Sequence, residues 1–183
     1  MMTRSFEASG DPISLAQMLD RREGRFATQQ TLLNRFGRTL AQLTLVNPGP
    51  VKDTPQARFV FDQGLGALQD ALNHAGLAVL AYEGSYFATG PEILMVVDAE
   101  PLSVKRTLLQ LEEHHPLGRL WDVDVIDPTG VSVSRQRLEL PARLCLLCDQ
   151  AAHACARSGA HALHDLQRAV EDKIHAYRSS LAC

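Results

Sequence analysis

The sequence predicts a single α+β (mixed α/β) domain with a cysteine-rich C-terminal segment and a final helix. Apolar residues recur at helical spacing in four stretches, starting at Ser14, about Gln56, Pro101 and about Leu163. Short apolar runs such as Leu43–Val46 and Ile93–Asp98 lie between them and read as strands. The resulting order (helix, strand, helix, strand, strand, helix, strand, strand, helix) is that of an α+β or mixed domain. The 183 residues, 45% hydrophobic and 21% charged, suit one domain that buries its own core.

Each element has a local reason. Residues 1–11 are polar and are expected to be disordered. Ser14 opens a capping box with Gln17, and Leu15, Met18, Leu19, Phe26, Leu33 and Phe36 form an amphipathic face that Gly37 terminates. This helix is expected to pack on a sheet. Leu40–Val46 is a strand, followed by the breaker-rich loop Asn47-Pro48-Gly49-Pro50-Val51-Lys52. A second helix runs from about Gln56 to Ala75 and stops at Gly76. Leu77–Tyr82 and Ile93–Asp98 are strands, and Glu83–Glu92 is expected to be the loop between them. Pro101 suits the first turn of a helix ending near His114. Arg119–Ile126 is a strand, Asp127-Pro128-Thr129-Gly130 a turn, and Val131–Ser134 the returning strand of a hairpin. Residues 141–183 hold the cysteine-rich stretch and a last helix with Leu163, Leu166, Val170, Ile174 and Tyr177 on one face.

The formal net charge of −3 provides no global basic field for nucleic acid, so an anionic ligand must be met locally. No apolar run approaches the roughly 20 residues of a membrane-spanning helix, and the first residues lack an apolar leader core. A cytoplasmic protein is expected. Three of the four cysteines crowd into Cys145–Cys155 and the last is Cys183, which points to metal or redox chemistry and away from a secreted disulfide framework.

Asp122 and Asp124 are the sharpest feature. On a strand they share a face, with Trp121, Val123 and Val125 on the other. Adjacent carboxylates repel unless a cation lies between them, and hard oxygen ligands suit Mg²⁺ or another divalent cation beside substrate phosphates. The alternative is a solvated strand face. Lys52 can meet a phosphate as a point charge from a loop fixed by proline and glycine, or can be a surface lysine on a rigid turn. Arg119, Arg135, Arg137, Arg143 and Arg157 follow or border the aspartate strand; Arg135 is the first choice for a phosphate grip. Cys145, Cys148 and Cys155 with His161 (His153 is also near) have the makings of a structural zinc site, against free thiols or a redox dithiol. Glu112-Glu113-His114-His115 reads as a solvated helix end, and Asp53 and Asp98 have no spacing argument behind them.

Several stretches together resemble one family. They are Asn47 to Lys52, Thr89-Gly90-Pro91-Glu92, His115-Pro116-Leu117-Gly118-Arg119-Leu120-Trp121-Asp122-Val123-Asp124-Val125, Ser134-Arg135, Cys145-Leu146-Leu147-Cys148 and Cys155-Ala156-Arg157-Ser158. They resemble the holo-citrate lyase synthases, the apo-citrate lyase phosphoribosyl-dephospho-CoA transferases, from about Ser14 to the final helix. Departures are Trp121, where phenylalanine is expected, and Gly159 and Ala160, where basic or polar residues are expected. The resemblance implies a nucleotidyltransferase-type domain over residues 1–183. It implies transfer of a phosphoribosyl-dephospho-CoA group from triphosphoribosyl-dephospho-CoA to a serine of the apo-citrate lyase acyl carrier subunit, with diphosphate leaving.

The roles it implies are specific. Asp122 and Asp124 hold Mg²⁺, and Lys52 joins them in catalysis. Asn47, Gly49, Arg119 and Arg135 bind the donor, and Glu92 is a candidate base. The implied partners are the carrier subunit and the donor, with no nucleic acid and no membrane. Two rivals stand beside this reading: the analogous transferase for the malonate decarboxylase carrier, and a non-catalytic zinc-stabilised adaptor of the lyase complex.

Overall fold

In the computed structural model, which describes residues 10–181, Ser14 caps the first helix, α1 (Leu15–Phe36). The capping box is complete: Gln17 N donates to Ser14 Oγ at 3.2 Å and Ser14 N donates to Gln17 Oε1 at 2.7 Å. Gly37 ends the helix in the left-handed region, its N–H donating to the Leu33 carbonyl. The expected disorder of the first residues concerns 1–9, which lie outside the described residues. Gly10 and Ile13 donate to the carbonyls of Asp53 and Pro50.

Four antiparallel strands follow: β1 (Thr39–Leu45), β2 (Ala78–Phe87), β3 (Gly90–Asp98) and β4 (Trp121–Ile126), in the order β2-β3-β1-β4. The helix α2 (Pro55–His74) connects β1 to β2 and α3 (Pro101–His114) connects β3 to β4. Both begin with proline at the first turn, where its missing N–H is not needed. The short α4 (Ala152–Ser158) and the long α5 (Leu163–Leu181) complete the mixed α/β domain. Among the described residues no helix is long and apolar enough to cross a membrane.

The period-two alternation of the strands gives the sheet two unlike faces. One face, with Leu43, Met95, Trp121, Val123 and Val125, packs against Phe61, Leu68 and Leu72 of α2, Val104 and Leu108 of α3, and Ile174 of α5. Full burial of each such side chain is worth about 1.5–3 kcal/mol. On the other face, Leu40, Leu94, Val96 and Ile126 meet Leu32 and Leu33 of α1.

Only the C-terminal part of α1 therefore packs as expected. Leu15, Leu19 and Phe26 are exposed, because the sheet beneath the N-terminal half is polar. Two further elements differ from the sequence reading. Residues 83–92 are mostly strand, leaving Ala88 and Thr89 as the turn. Gly84 acts there through close backbone approach, since a Cβ would stand 2.4 Å from the Glu92 carbonyl oxygen. The returning strand at Val131–Ser134 shrinks to a bridge between Ile126 and Ser132 and a bond from Val133 N to the Val125 carbonyl.

Candidate functional site

The polar end of the α1 face is the floor of a cavity of about 530 Å³. Strand register builds it: Gln42 lies opposite Asp124 and Thr44 opposite Asp122, so all four side chains share one face. Glu92 enters from the start of β3. Met18, Arg22, Arg25, Phe26 and Gln29 of α1 overhang this floor, and Asn47, Lys52, Thr89 and Gly90 close the side.

The electrostatics are those of a partly compensated acidic pair. Burial and then the neighbouring Asp122 raise the Asp124 carboxyl above the usual range, only partly offset by Lys105 and Arg25. Gln42 Nε2 donates to Asp124 Oδ2 at 3.3 Å, and Gln29 Nε2 donates to Gln42 Oε1 at 2.6 Å. Asp122 is more open, with Arg143 Nη1 3.4 Å from its Oδ1. Glu92 is buried between Arg21 and Arg25, and Arg21 also stacks on Phe87, 3.8 Å from the ring centroid. Thr89 Oγ1, also on the cavity wall, is buried with no hydrogen-bond partner.

The loop after β1 locks itself. Lys52 Nζ donates to the Asn47 carbonyl, while Asn47 Nδ2 donates to the Lys52 carbonyl at 3.1 Å. Burial lowers the Lys52 ammonium below its ordinary value. Gly49, at φ 97°, lies outside the cavity lining; a Cβ there would meet Gln167 of α5 at 2.8 Å.

Arg119 and Arg135 are placed elsewhere, along the outer edge of β4. Arg135 pairs with Glu112 and Glu113, both at 2.9 Å. Arg119 donates to the carbonyls of Leu144 and Cys145. Glu112 and His115 are not a solvated helix end. Glu112 is buried and accepts from Val123 N at 3.2 Å, and His115 stacks against Trp121 with ring centroids 4.4 Å apart. Among the acids set aside from the sequence, Asp53 is buried against Arg58 and Asp98 pairs with Arg38 at the surface.

The cysteine-rich segment gathers a second constellation. The ligand atoms of Cys145, Cys148, Cys155 and His161 all lie within 4.8 Å of one another. Cys148 Sγ is 3.5 Å from Cys155 Sγ and 3.3 Å from His161 Nε2. A tetrahedral ion with bonds of about 2.0–2.3 Å needs ligand atoms at roughly such separations. This group could hold a metal ion. His153 is exposed and outside it, and Cys183 lies outside the described residues. The Cys145 thiol sits at about 7: burial pushes it up, but hydrogen bonds from the Leu147 and Cys148 N–H groups and the neighbouring thiols outweigh that. Cys155 is pushed up to about 12 by its bond to Cys148 and by burial.

The sequence reading missed Arg22, Arg25, Gln29, Gln42 and Thr44, and singled out the stretch from Thr89 to Glu92 without giving Thr89 a role. One signal was available for α1: Met18, Arg22, Arg25 and Gln29 recur at helical spacing as one largely polar stripe.

Residues 13–177 match the family described as apo-citrate lyase phosphoribosyl-dephospho-CoA transferase. A protein of that name from Citrobacter koseri is 40% identical over 174 residues, covering 95% of each chain. Those from Escherichia coli O1:K1 and Shigella boydii serotype 18 are each 38% identical over 164 residues, covering 90% of each chain.

Proposed function

The chain belongs to the apo-citrate lyase phosphoribosyl-dephospho-CoA transferase family, and from that premise we propose a specific reaction for its cavity. The enzyme transfers phosphoribosyl-dephospho-CoA from triphosphoribosyl-dephospho-CoA to a serine hydroxyl of the apo-citrate lyase acyl carrier subunit. The serine oxygen bonds to the phosphorus nearest the ribose and gives up its proton to solvent, the bond from that phosphorus to the bridging oxygen breaks, and diphosphate leaves with that oxygen. The names of its relatives favour this over a malonate decarboxylase carrier or a non-catalytic adaptor.

One observation carries the reading. Asp122 and Asp124 face a cavity whose opposite wall presents Arg22 and Arg25 and whose side presents Lys52. The residues present fit a hard divalent cation: two carboxylates share one strand face, and burial and then the neighbouring Asp122 hold the Asp124 carboxyl above its usual range. Asp122 and Asp124 would hold Mg²⁺, which supplies neutralisation of the triphosphate and its leaving group. Arg22, Arg25 and Lys52 grip the phosphates, and Thr89 Oγ1 has a hydrogen bond to give. Glu92 is engaged by Arg21 and Arg25, so its role is to aim Arg25, not to remove the serine proton. Asn47 sets the Lys52 loop. Arg119 and Arg135 support β4 and leave the phosphates to the α1 arginines.

At the second constellation Cys145, Cys148, Cys155 and His161 would hold Zn²⁺. Four protein ligands leave no open position, so its contribution is structural. Unpaired, clustered thiols of this kind suit a reducing compartment, the cytoplasm.

The test is intact mass spectrometry of the carrier after incubation with enzyme, donor and Mg²⁺. A mass gain equal to the prosthetic group, abolished by Asp122→Asn, is the expected result. No gain with a competent carrier and donor would overturn the reaction, and full activity in Asp122→Asn would overturn the metal assignment.

A further inference from the structure

The segment from residue 139 to residue 161 has little of its own to fold around. Almost all of its residues are partly or fully exposed, Cys155 is its buried residue, and its one helix, α4, has 7 residues, fewer than an isolated helix needs. It is nevertheless joined to the strand that carries the aspartates by a reciprocal pair of guanidinium clamps. Arg143, two residues before Cys145, reaches across so that its Nη2 donates to the carbonyls of Arg119 and Trp121, both at 2.7 Å. Its Nη1 lies 3.4 Å from Asp122 Oδ1. In return Arg119 donates to the carbonyls of Leu144 and of Cys145, the latter at 3.0 Å. The knuckle is closed by bonds from Cys145 N to the Gln150 carbonyl at 2.7 Å and from Ala152 N to the Arg143 carbonyl at 2.8 Å.

The geometry points to a zinc centre at Cys145, Cys148, Cys155 and His161 that positions the transfer site: the ion fixes the knuckle, the knuckle fixes Arg143 and the acceptors of Arg119, and these fix the backbone leading into Asp122. This rests on the reading of Asp122 as part of the transfer site. Arg143 is a positioning residue, acting on the carbonyl of Trp121 at the open edge of β4 and on that of Arg119 in the turn before it. Without the ion, the four ligand side chains have only weak thiol and imidazole hydrogen bonds among them, and the knuckle is left to its few backbone bonds. Both clamps then lose their fixed end.

The experiment has two readouts that do not depend on transfer. Zinc is measured by elemental mass spectrometry, and amide hydrogen exchange is followed peptide by peptide in the full chain. Wild type is expected to hold one zinc per chain. Cys148→Ser is expected to hold none and to exchange at least tenfold faster over residues 118–126 as well as over 143–161, with α2 unchanged. Should Cys148→Ser fail to fold, wild type stripped of zinc by a strong chelator and then reloaded gives the same comparison. Arg143→Lys keeps the charge and the zinc but cannot bridge two carbonyls with one planar fork, so it is expected to deprotect 118–126 while leaving 143–161 protected. Transfer should fall at least tenfold in kcat in both variants, because reacting groups are displaced. Wild type without zinc, or faster exchange confined to 143–161 in Cys148→Ser, would overturn the proposal. Failure of the transfer reading alone would appear as an inactive wild type with zinc and protection intact.

Discussion

Lys105 Nζ donates to the Val123 carbonyl at 2.8 Å, which places a buried ammonium of α3 against the residue that separates Asp122 from Asp124. Burial lowers the ammonium below its ordinary value, while Glu112 and the two aspartates draw it back up. Seven residues along α3, Glu112 accepts from Val123 N. One helix thus satisfies both backbone groups of the residue between the acids. Lys105→Met removes a charge-assisted bond and a countercharge together. It is expected to lower stability by about 1–3 kcal/mol in urea titration. The loss should be larger without Mg²⁺ than at saturating Mg²⁺, when the bound ion takes over the neutralisation.

Asp124→Asn should separate stability from function. It relieves a buried carboxylate that repels Asp122, so the metal-free protein should melt higher than wild type. The same change should abolish the rise in Tm that Mg²⁺ gives the wild type. Scanning calorimetry with and without Mg²⁺ checks both signs.

The pH dependence follows from the same carboxyl. Its folded pKa lies above its unfolded one, so the folded state holds the proton more tightly. The destabilisation from ionised Asp124 is absent below the unfolded value, grows as pH rises towards the folded value, and persists above it. Divalent-ion binding must displace that proton. Mn²⁺ affinity, followed by electron paramagnetic resonance, should therefore fall by about tenfold per pH unit below the folded pKa and level off above it.

Arg22 and Arg25 should respond differently to removal. Arg22 is exposed on the cavity rim, so Arg22→Ala should leave Tm nearly unchanged and raise the donor KM by roughly tenfold or more, the worth of one charge-assisted contact. Arg25 also pairs with buried Glu92 at 3.2 Å, so Arg25→Ala should lower Tm as well as weaken the donor. Arg38→Ala, which breaks an exposed pair with Asp98, is the control and should change neither donor KM nor stability by more than about 1 kcal/mol.

Local signals were legible in the sequence. The Ser14 box, Gly37 and Pro101 mark helix ends by chemistry that acts within a few residues, and the shared face of Asp122 and Asp124 follows from strand geometry alone. Signals that depend on register were not. The stripe of Arg22, Arg25 and Gln29 reads as a solvated helix face until β1 brings Gln42 and Thr44 beneath it. Arg119 and Arg135 were drawn to the acids by nearness along the chain, but their side chains serve the outer edge of β4. Gly84 read as a loop residue because a glycine needed for close backbone approach looks the same in sequence as one needed for a turn.

The two rims of the sheet differ in kind. Along β4 the outward N–H and C=O of Val123 and the carbonyl of Trp121 are already taken by Glu112, Lys105 and Arg143, so an incoming strand finds nothing there to zip onto. On the opposite rim β2 carries a register shift between Val79 and Ala81, which turns Leu80 out of the ladder and breaks its template for pairing. A four-stranded sheet closed in these two ways is protected against edge-to-edge polymerisation. Substitutions at Lys105 or Glu112 would therefore be expected to open a nucleation point for aggregation as well as to disturb the acids beside it.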